Sequence, residues 1–82
     1  MKQAILDGRL IQSRQQVHEC FARQLELPAW YGANLDALHD CLTEIGGPTV
    51  LIVAHTASAD ARMMRVLRAS VRENPALSLY EG

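Results

Sequence analysis

Residues Thr49–Ala54 read TVLIVA, a nearly continuous apolar run that follows the helix-ending sequence Gly46-Gly47-Pro48. Branched side chains such as valine and isoleucine favour extended backbone, so this run predicts a strand. Strands without polar alternation are typically covered on both faces, as in parallel sheets with crossover helices. The run therefore predicts a buried strand of an α/β protein.

Two shorter strands are predicted towards the ends of the chain. Residues 3–6 form an apolar segment that is closed by the turn pair Asp7-Gly8, and residues 77–80 form another after Asn74-Pro75. Each segment is bounded by residues that favour turns, which is the usual signature of a short strand.

The segment after the first strand predicts an amphipathic helix that runs to about Leu25. Ser13 and Gln16 have the spacing of a capping box, which satisfies free amide groups at a helix start. The predicted buried stripe comprises Val17, Cys20, Phe21 and Leu25. His18 and Glu19 are predicted to point away from this stripe, into solvent.

Two further helices are predicted on either side of the buried strand. Asn34 is the expected N-cap of the second helix, and Ser58 is the expected N-cap of the third, which covers about residues 59–73. Their predicted buried stripes comprise Leu35, Leu38, Leu42 and Ile45 in the second helix, and Met63, Met64, Val66, Leu67 and Val71 in the third.

The resulting order of elements is β-α-α-β-α-β. Helical crossovers favour parallel strands, and the rule that such crossovers are right-handed limits the possible topologies. We therefore expect an α/β fold with a three-stranded parallel sheet, in a single domain of residues 1–82.

Composition restricts the class of protein. The 82 residues are 49% hydrophobic and have a net charge of −1, which supports one small core and argues against a generally basic, nucleic-acid-binding surface. No long apolar run or signal-peptide pattern occurs, so we expect a cytoplasmic protein without membrane association. Cys20 and Cys41 lack metal-ligand spacing, and buried thiols are predicted rather than a disulfide.

The outer face of the second helix carries the candidate functional residues. At about 100° per residue, Asp36, His39, Asp40 and Thr43 share the side opposite the leucines. The pair Trp30-Tyr31 lies in the connection just before this helix. Aromatic side chains are common interface anchors and carboxylates accept directional hydrogen bonds, so this face predicts a site for a cationic partner.

Residues 27–43, LPAWYGANLDALHDCLT, resemble the signature of the barstar family, whose usual form is LPxYYGxNLDALWDCLT. The family consists of small intracellular inhibitors of barnase-type ribonucleases, and element order extends the similarity over nearly the whole chain. The resemblance implies a barstar-like fold and a toxin-immunity protein that blocks a ribonuclease active site in a one-to-one complex. A monomer is expected when the protein is free, with no catalytic activity, metal or cofactor.

The resemblance also implies roles for individual residues. Asp40 aligns with the residue that plugs the nuclease active site, and Asp36 is expected to accept from a second basic group. Thr43 is expected to hydrogen-bond at the rim, Trp30 aligns with an interface tyrosine, and Glu73 aligns with an acidic residue of the last helix. The predicted partner-binding residues are Trp30, Asn34, Asp36, His39, Asp40, Thr43 and Glu73.

The chain departs from the family pattern in several places. His39 stands where tryptophan is common, which removes contact area and introduces a group that can change charge near neutral pH. Ala69 stands where a second acidic residue is expected. The connection HTASA, residues 55–59, is short, so the extra helix of family members is expected to be missing or reduced here. The last helix carries arginines at positions 62, 65, 68 and 72.

The residues are compatible with two other functions. The arginine stripe of the last helix is the basis of an alternative, an RNA-binding or other nucleic-acid-binding module. Asp36, His39 and Asp40 are the basis of another, an enzyme that uses them as metal ligands or acid/base groups, although no second cluster supplies further ligands. The loop aromatics are also compatible with a homodimer face, across which the acidic neighbours would repel.

Overall fold

A computed structural model describes residues 2–10, 14–28, 31–32 and 34–82, with Arg14 described by its backbone alone. Within these ranges the elements are β1 (Lys2–Asp7), α1 (Arg14–Leu25), α2 (Leu35–Thr43), β2 (Thr49–Ala54), a 3₁₀ turn (Thr56–Ser58), α3 (Ala61–Glu73) and β3 (Leu77–Glu81). The strands form one parallel sheet in the order β1-β2-β3. The predicted α/β fold and the β-α-α-β-α-β order are confirmed.

The core lies on one face of this sheet. Both crossovers step in the same direction across the sheet, so the right-handed rule places the helices on the same side. The sheet contributes Ala4, Leu6, Leu51, Val53 and Leu77 to a core cluster whose helical members include Val17, Phe21, Leu25, Leu38, Leu42, Met63, Met64 and Leu67.

The expectation that β2 is covered on both faces is wrong. The residues of β2 alternate between buried and half-buried, and the half-buried ones point away from the helices. On that outer face Ile52 lies in register between Ile5 and Tyr80, which are 51% and 61% exposed. The sequence does not reveal the open outer face, because the half-buried residues of β2 on that face, Val50, Ile52 and Ala54, are apolar as well.

Helix α1 ends in a Schellman motif. Glu26 has the left-handed φ of 53°, and the amide of Leu27 donates to the carbonyl oxygen of Ala22 over 3.1 Å. Leu27 then packs against the core. The helix begins at Arg14, and Ser13 lies outside the described residues, so the predicted capping box of Ser13 and Gln16 is untested.

A side chain of α1 also covers the outer edge of β1. The amide of Ile5 donates to Oε1 of Gln24 over 2.8 Å, and Nε2 of Gln24 donates to the carbonyl oxygen of Ile5 over 2.9 Å. The carboxamide therefore takes the place of a neighbouring strand at this edge. Unpaired strand edges promote aggregation, and this pairing protects one position of the edge.

The connection after β2 keeps only one 3₁₀ turn, in agreement with the expected reduction. His55 has a left-handed φ of 55°, and the amide of Ser58 donates back to its carbonyl oxygen over 2.9 Å. Ser58 is thus held in the turn and is not the N-cap of α3, contrary to the prediction. The N-cap is Asp60, whose Oδ1 accepts from the amides of Arg62 and Met63 over 2.7 and 3.3 Å.

One buried amide joins α2, α3 and β3. Nδ2 of Asn74 donates to the carbonyl oxygens of Leu42 and Ile45 over 2.9 and 2.8 Å, and its Oδ1 accepts from the amide of Ala76 over 3.0 Å. The side chain thereby donates to carbonyl groups at the end of α2, where the donors of the helix itself run out; the carbonyl oxygen of Leu42 also accepts from the amide of Ile45, over 3.4 Å. Asn74 was predicted only as the terminator of α3.

Two further expectations concern the cysteines and membrane-spanning helices. Cys20 and Cys41 are free thiols, as predicted, with Cys41 buried and Cys20 only partly so. In the part of the chain that the structure describes, no helix combines the length and apolar character needed to cross a membrane.

Replacing the Asn74 amide tests its role in the fold. Asn74→Ala leaves the carbonyl group of Ile45 without this donor and that of Leu42 with the longer bond from the amide of Ile45, and we expect the free energy of unfolding to fall by about 2 kcal/mol. Urea denaturation measures this. The control Ser78→Ala, at an exposed position of β3, should change stability by less than about 0.5 kcal/mol. Equal effects of the two variants would contradict the assigned role.

Candidate functional site

The N-terminus of α2 is built as the sequence predicts. Asn34 has extended backbone, with φ −133° and ψ 167°, and its Oδ1 accepts from the amide of Ala37 over 2.8 Å. Its Nδ2 lies 3.5 Å from the carbonyl oxygen of Gly32. Asn34 is therefore the N-cap of α2, and its side-chain oxygen is occupied within the chain. A direct role in partner binding remains a prediction for this residue.

The two faces of α2 differ as expected. Leu38, Cys41 and Leu42 are buried, whereas Asp36 and Asp40 are exposed, the side chain of Asp40 to 69%. Asp36 lies in the first turn, where the helix dipole stabilises a negative charge. Within the described ranges, Asp36 forms neither an ion pair nor a hydrogen bond through its carboxylate. Asp36 is thus available to an external cation, and the 69% exposed carboxylate of Asp40 is accessible from solvent.

A groove of about 410 Å³ runs between α2 and α3 along this face. Its lining comprises Leu35, Asp36, His39 and Asp40 from α2, and Arg65, Val66 and Ala69 from α3. Three of the predicted site residues therefore share one concave surface. The groove has an apolar floor between walls that carry charges of opposite sign.

His39 links the two walls at one end of the groove. Its Nε2 contacts the carboxylate of Glu73 on α3, and its Nδ1 lies 3.9 Å from Oδ1 of Asp40. Glu73 remains half exposed, with 56% of its side chain accessible. The structure thus brings Glu73, which is 34 residues away in the chain, to the site formed by α2.

Thr43 lies one turn beyond the acidic residues, and its hydroxyl is used inside the helix. Oγ1 is 2.9 Å from the carbonyl oxygen of His39 and 3.1 Å from that of Asp40, so it donates to its own helix. This leaves the hydroxyl oxygen as an acceptor only. At a binding rim Thr43 can therefore receive a hydrogen bond from a partner.

The loop before α2 is anchored by a contact between a buried histidine and a half-buried tyrosine, which differs from the predicted solvent exposure of the histidine. His18 is 4% exposed, and its Nδ1 contacts the hydroxyl of Tyr31, with the two ring centroids 5.6 Å apart. The prediction that His18 is solvated is therefore wrong, and Tyr31 is packed against the core rather than displayed as an exposed aromatic. Trp30 lies outside the described residues, so its predicted partner contact is untested.

Proton positions in this pair follow from burial. Burial lowers the pKa of His18 below its usual 6.5 and favours the neutral imidazole. Burial, together with the nearby Cys41, raises the pKa of Tyr31 to about 12, so the phenol keeps its proton. The hydroxyl of Tyr31 therefore donates to Nδ1 of His18.

A signal for this burial exists in the sequence. His18 precedes Phe21 by three residues and Leu25 by seven, which places it on the border of the buried stripe of α1. The polarity of the His18 side chain favours solvent, whereas its angular position around the helix axis favours the core. A buried histidine needs a hydrogen-bond partner, and Tyr31 supplies it from a different element.

Cys41 and the potential metal ligands are further reactive groups among the described residues. Burial raises the pKa of the Cys41 thiol, and the nearby Glu44 and Asp40 carboxylates raise it further, which keeps the thiol protonated. Among the residues that the structure describes, no group of three or more His, Cys, Asp and Glu side chains is arranged to hold a metal ion.

The buried histidine makes stability depend on pH. The unfolded chain protonates His18 near pH 6.5, whereas the folded protein protonates it at lower pH. The stability that comes from keeping His18 neutral is therefore fully present above about pH 6.5. It is lost as pH falls from there towards the folded-state pKa of His18, and the free energy of unfolding decreases by at most about 1.4 kcal/mol per pH unit.

We expect His18→Gln to reduce the fall in the free energy of unfolding between about pH 6.5 and 5. The control Gln15→Ala, at an exposed and uncharged position of the same helix, should leave the slope of the wild-type protein unchanged. Denaturation at several pH values measures the slopes. A slope in His18→Gln as steep as that of the wild-type protein would contradict the assignment.

Comparison with known proteins agrees with this architecture. Residues 1–73 match the family model described as "Barstar (barnase inhibitor)". A segment of 43 residues is 44% identical to the Bacillus subtilis (strain 168) protein named "Putative ribonuclease inhibitor YrdF", and it covers 52% of this chain and 47% of that protein. The match thus spans about half the length of this curated relative. Because the family model covers most of the chain, this protein belongs to the barstar family.

Proposed function

We propose that this protein is a ribonuclease inhibitor that blocks the active site of a barnase-type ribonuclease with α2 and the loop before it. Family membership supports ribonuclease inhibition in general. The observation that carries the more specific proposal is the pair of exposed carboxylates, Asp36 and Asp40, one turn apart on a firmly capped helix. Such a pair is suited to a cationic cleft.

The proposed mechanism is replacement of a phosphate by a carboxylate. A ribonuclease cleft gathers basic side chains to hold the phosphates of RNA, and carboxylates form charge-assisted hydrogen bonds with the same groups. Asp40 lines the groove with its side chain 69% exposed, and it would occupy the phosphate site. Asp36 would pair with a second basic group, and Thr43 would accept a hydrogen bond at the rim.

Rigidity of the binding surface supports this mechanism. Asn34 caps the start of α2, Asn74 satisfies carbonyl groups at its end, and the His18–Tyr31 pair anchors the preceding loop. A surface that is ordered before binding loses less conformational entropy when the complex forms. We expect Trp30 to cover part of the nuclease cleft, and Glu73 and His39 to complete the acidic border.

The proposal includes the setting in which the inhibitor acts. The protein would act as a single-domain monomer in the cytoplasm, bind one nuclease molecule and thereby confer immunity to a ribonuclease toxin. It would inhibit by occupation of the site, without catalysis and without a metal or cofactor. Its targets would be found among ribonucleases rather than among other enzymes.

The alternative function, nucleic-acid binding by the arginines of α3, has less support. Arg68 is engaged by Glu81 of β3, with nitrogen-to-oxygen distances of 2.5 and 3.1 Å. Arg65 lies in the groove with two carboxylates of α2. The cations therefore do not form an uninterrupted track for phosphates, and the net charge of −1 provides no long-range attraction to RNA.

Substitution of Asp40 tests the proposed function. Asp40→Ala would leave basic groups of the nuclease buried without a partner, and we expect a loss of about 3 kcal/mol, more than a hundredfold in Kd. RNA cleavage by a panel of barnase-type ribonucleases is measured with wild-type and variant inhibitor at matched concentrations. The control Glu19→Ala removes the same charge from an exposed position of α1 and should retain inhibition.

Two results would contradict the proposal in different ways. Failure of the wild-type protein to inhibit any ribonuclease of the panel would reject the proposed function. Inhibition that Asp40→Ala weakens by less than about tenfold, or roughly 1.4 kcal/mol, would reject Asp40 as the residue that fills the phosphate site.

A further inference from the structure

The α3 wall of the groove carries a positive charge that the proposed phosphate mimicry does not use. Arg65 is exposed and lines the groove opposite Asp36 and Asp40. In the part of the chain that the structure describes, its guanidinium forms no ion pair and no hydrogen bond. Arg68, one turn later on the same helix, is instead held by Glu81.

The acidic residue of α3 does not cancel this charge in the groove. Glu73 contacts Nε2 of His39, so its carboxylate is already engaged at the far end of the site. Ala69, the residue of α3 that lines the groove one turn after Arg65, contributes no charge. The groove therefore presents carboxylates on one wall and a free guanidinium on the other.

This arrangement restricts the partner. A cation that approaches Asp36 and Asp40 also experiences repulsion from Arg65, because these residues line one groove between two packed helices, whose axes are typically ~8–10 Å apart, about the Debye length at physiological salt. A nuclease surface that carries only basic groups would bind less tightly, because Arg65 repels them. A nuclease carboxylate beside those basic groups would remove the cost and would accept hydrogen bonds from the planar guanidinium.

On the basis of the proposed function, we infer that Arg65 is a specificity-determining residue that pairs with a carboxylate of the nuclease. The groove selects ribonucleases that carry an Asp or Glu next to the cations of the active-site cleft. Ribonucleases whose cleft border is entirely basic are the disfavoured class. The inhibitor thus blocks nucleases whose surface matches both its negative wall and its positive wall.

Charge reversal tests this inference on the ribonuclease of the panel that the wild-type protein inhibits most strongly. We expect Arg65→Glu to raise Kd by at least tenfold and Arg65→Ala to raise it less. The matched control Arg62→Glu makes the same change of charge at an exposed position of α3 that does not line the groove, and it should change Kd by less than about threefold. Titration calorimetry at low and physiological salt provides the constants.

A compensating change on the nuclease provides the decisive measurement. Acidic residues beside its cleft are replaced by lysine one at a time, and one replacement should weaken binding of the wild-type inhibitor and restore binding of Arg65→Glu. Tighter or unchanged binding of Arg65→Glu, or equal losses in Arg62→Glu, would overturn the inference while inhibition and the Asp40→Ala effect persist. Absence of inhibition by the wild-type protein would reject the proposed function and this inference with it.

Discussion

The groove between α2 and α3 depends on the hydrogen bonds of one buried side chain, Asn74. Its amide donates to two carbonyl groups at the end of α2 and its oxygen receives the amide of Ala76, so a single residue fixes α2 against α3 and the start of β3. The groove lies between those two helices. Any change in their spacing would alter the relation between the acidic wall and the basic wall.

Charge and rigidity act together at this surface. The caps of α2 and the His18–Tyr31 contact hold the carboxylates in place, while the helix dipole favours the charge of Asp36. Exposed carboxylates on an ordered helix can enter a cationic cleft with little loss of entropy. The guanidinium of Arg65 makes the surface bipolar rather than uniformly acidic, and in the proposed complex this adds a condition on the partner.

The structure and the sequence agree best where the decisive interaction is local. The N-cap of α2, the strand boundaries and the leucine stripe follow from neighbouring residues, and each was predictable. Of the errors, one is local and one joins distant elements. Ser58 is held in the 3₁₀ turn of residues 56–58, so Asp60 caps α3 instead. His18 is buried because Tyr31, from a different element, provides a partner for it.

The sequence by itself determined the element order, the parallel sheet, the acidic face of α2 and the family resemblance, since periodicity and residue type encode these locally. Tertiary structure alone decided that the helices cover one face of the sheet, because that depends on the direction of both crossovers. It also decided that Glu73 meets His39 and that Arg65 faces Asp36 and Asp40 across a groove. These contacts join residues about 30 positions apart, and helical periodicity carries no information on which faces pack together.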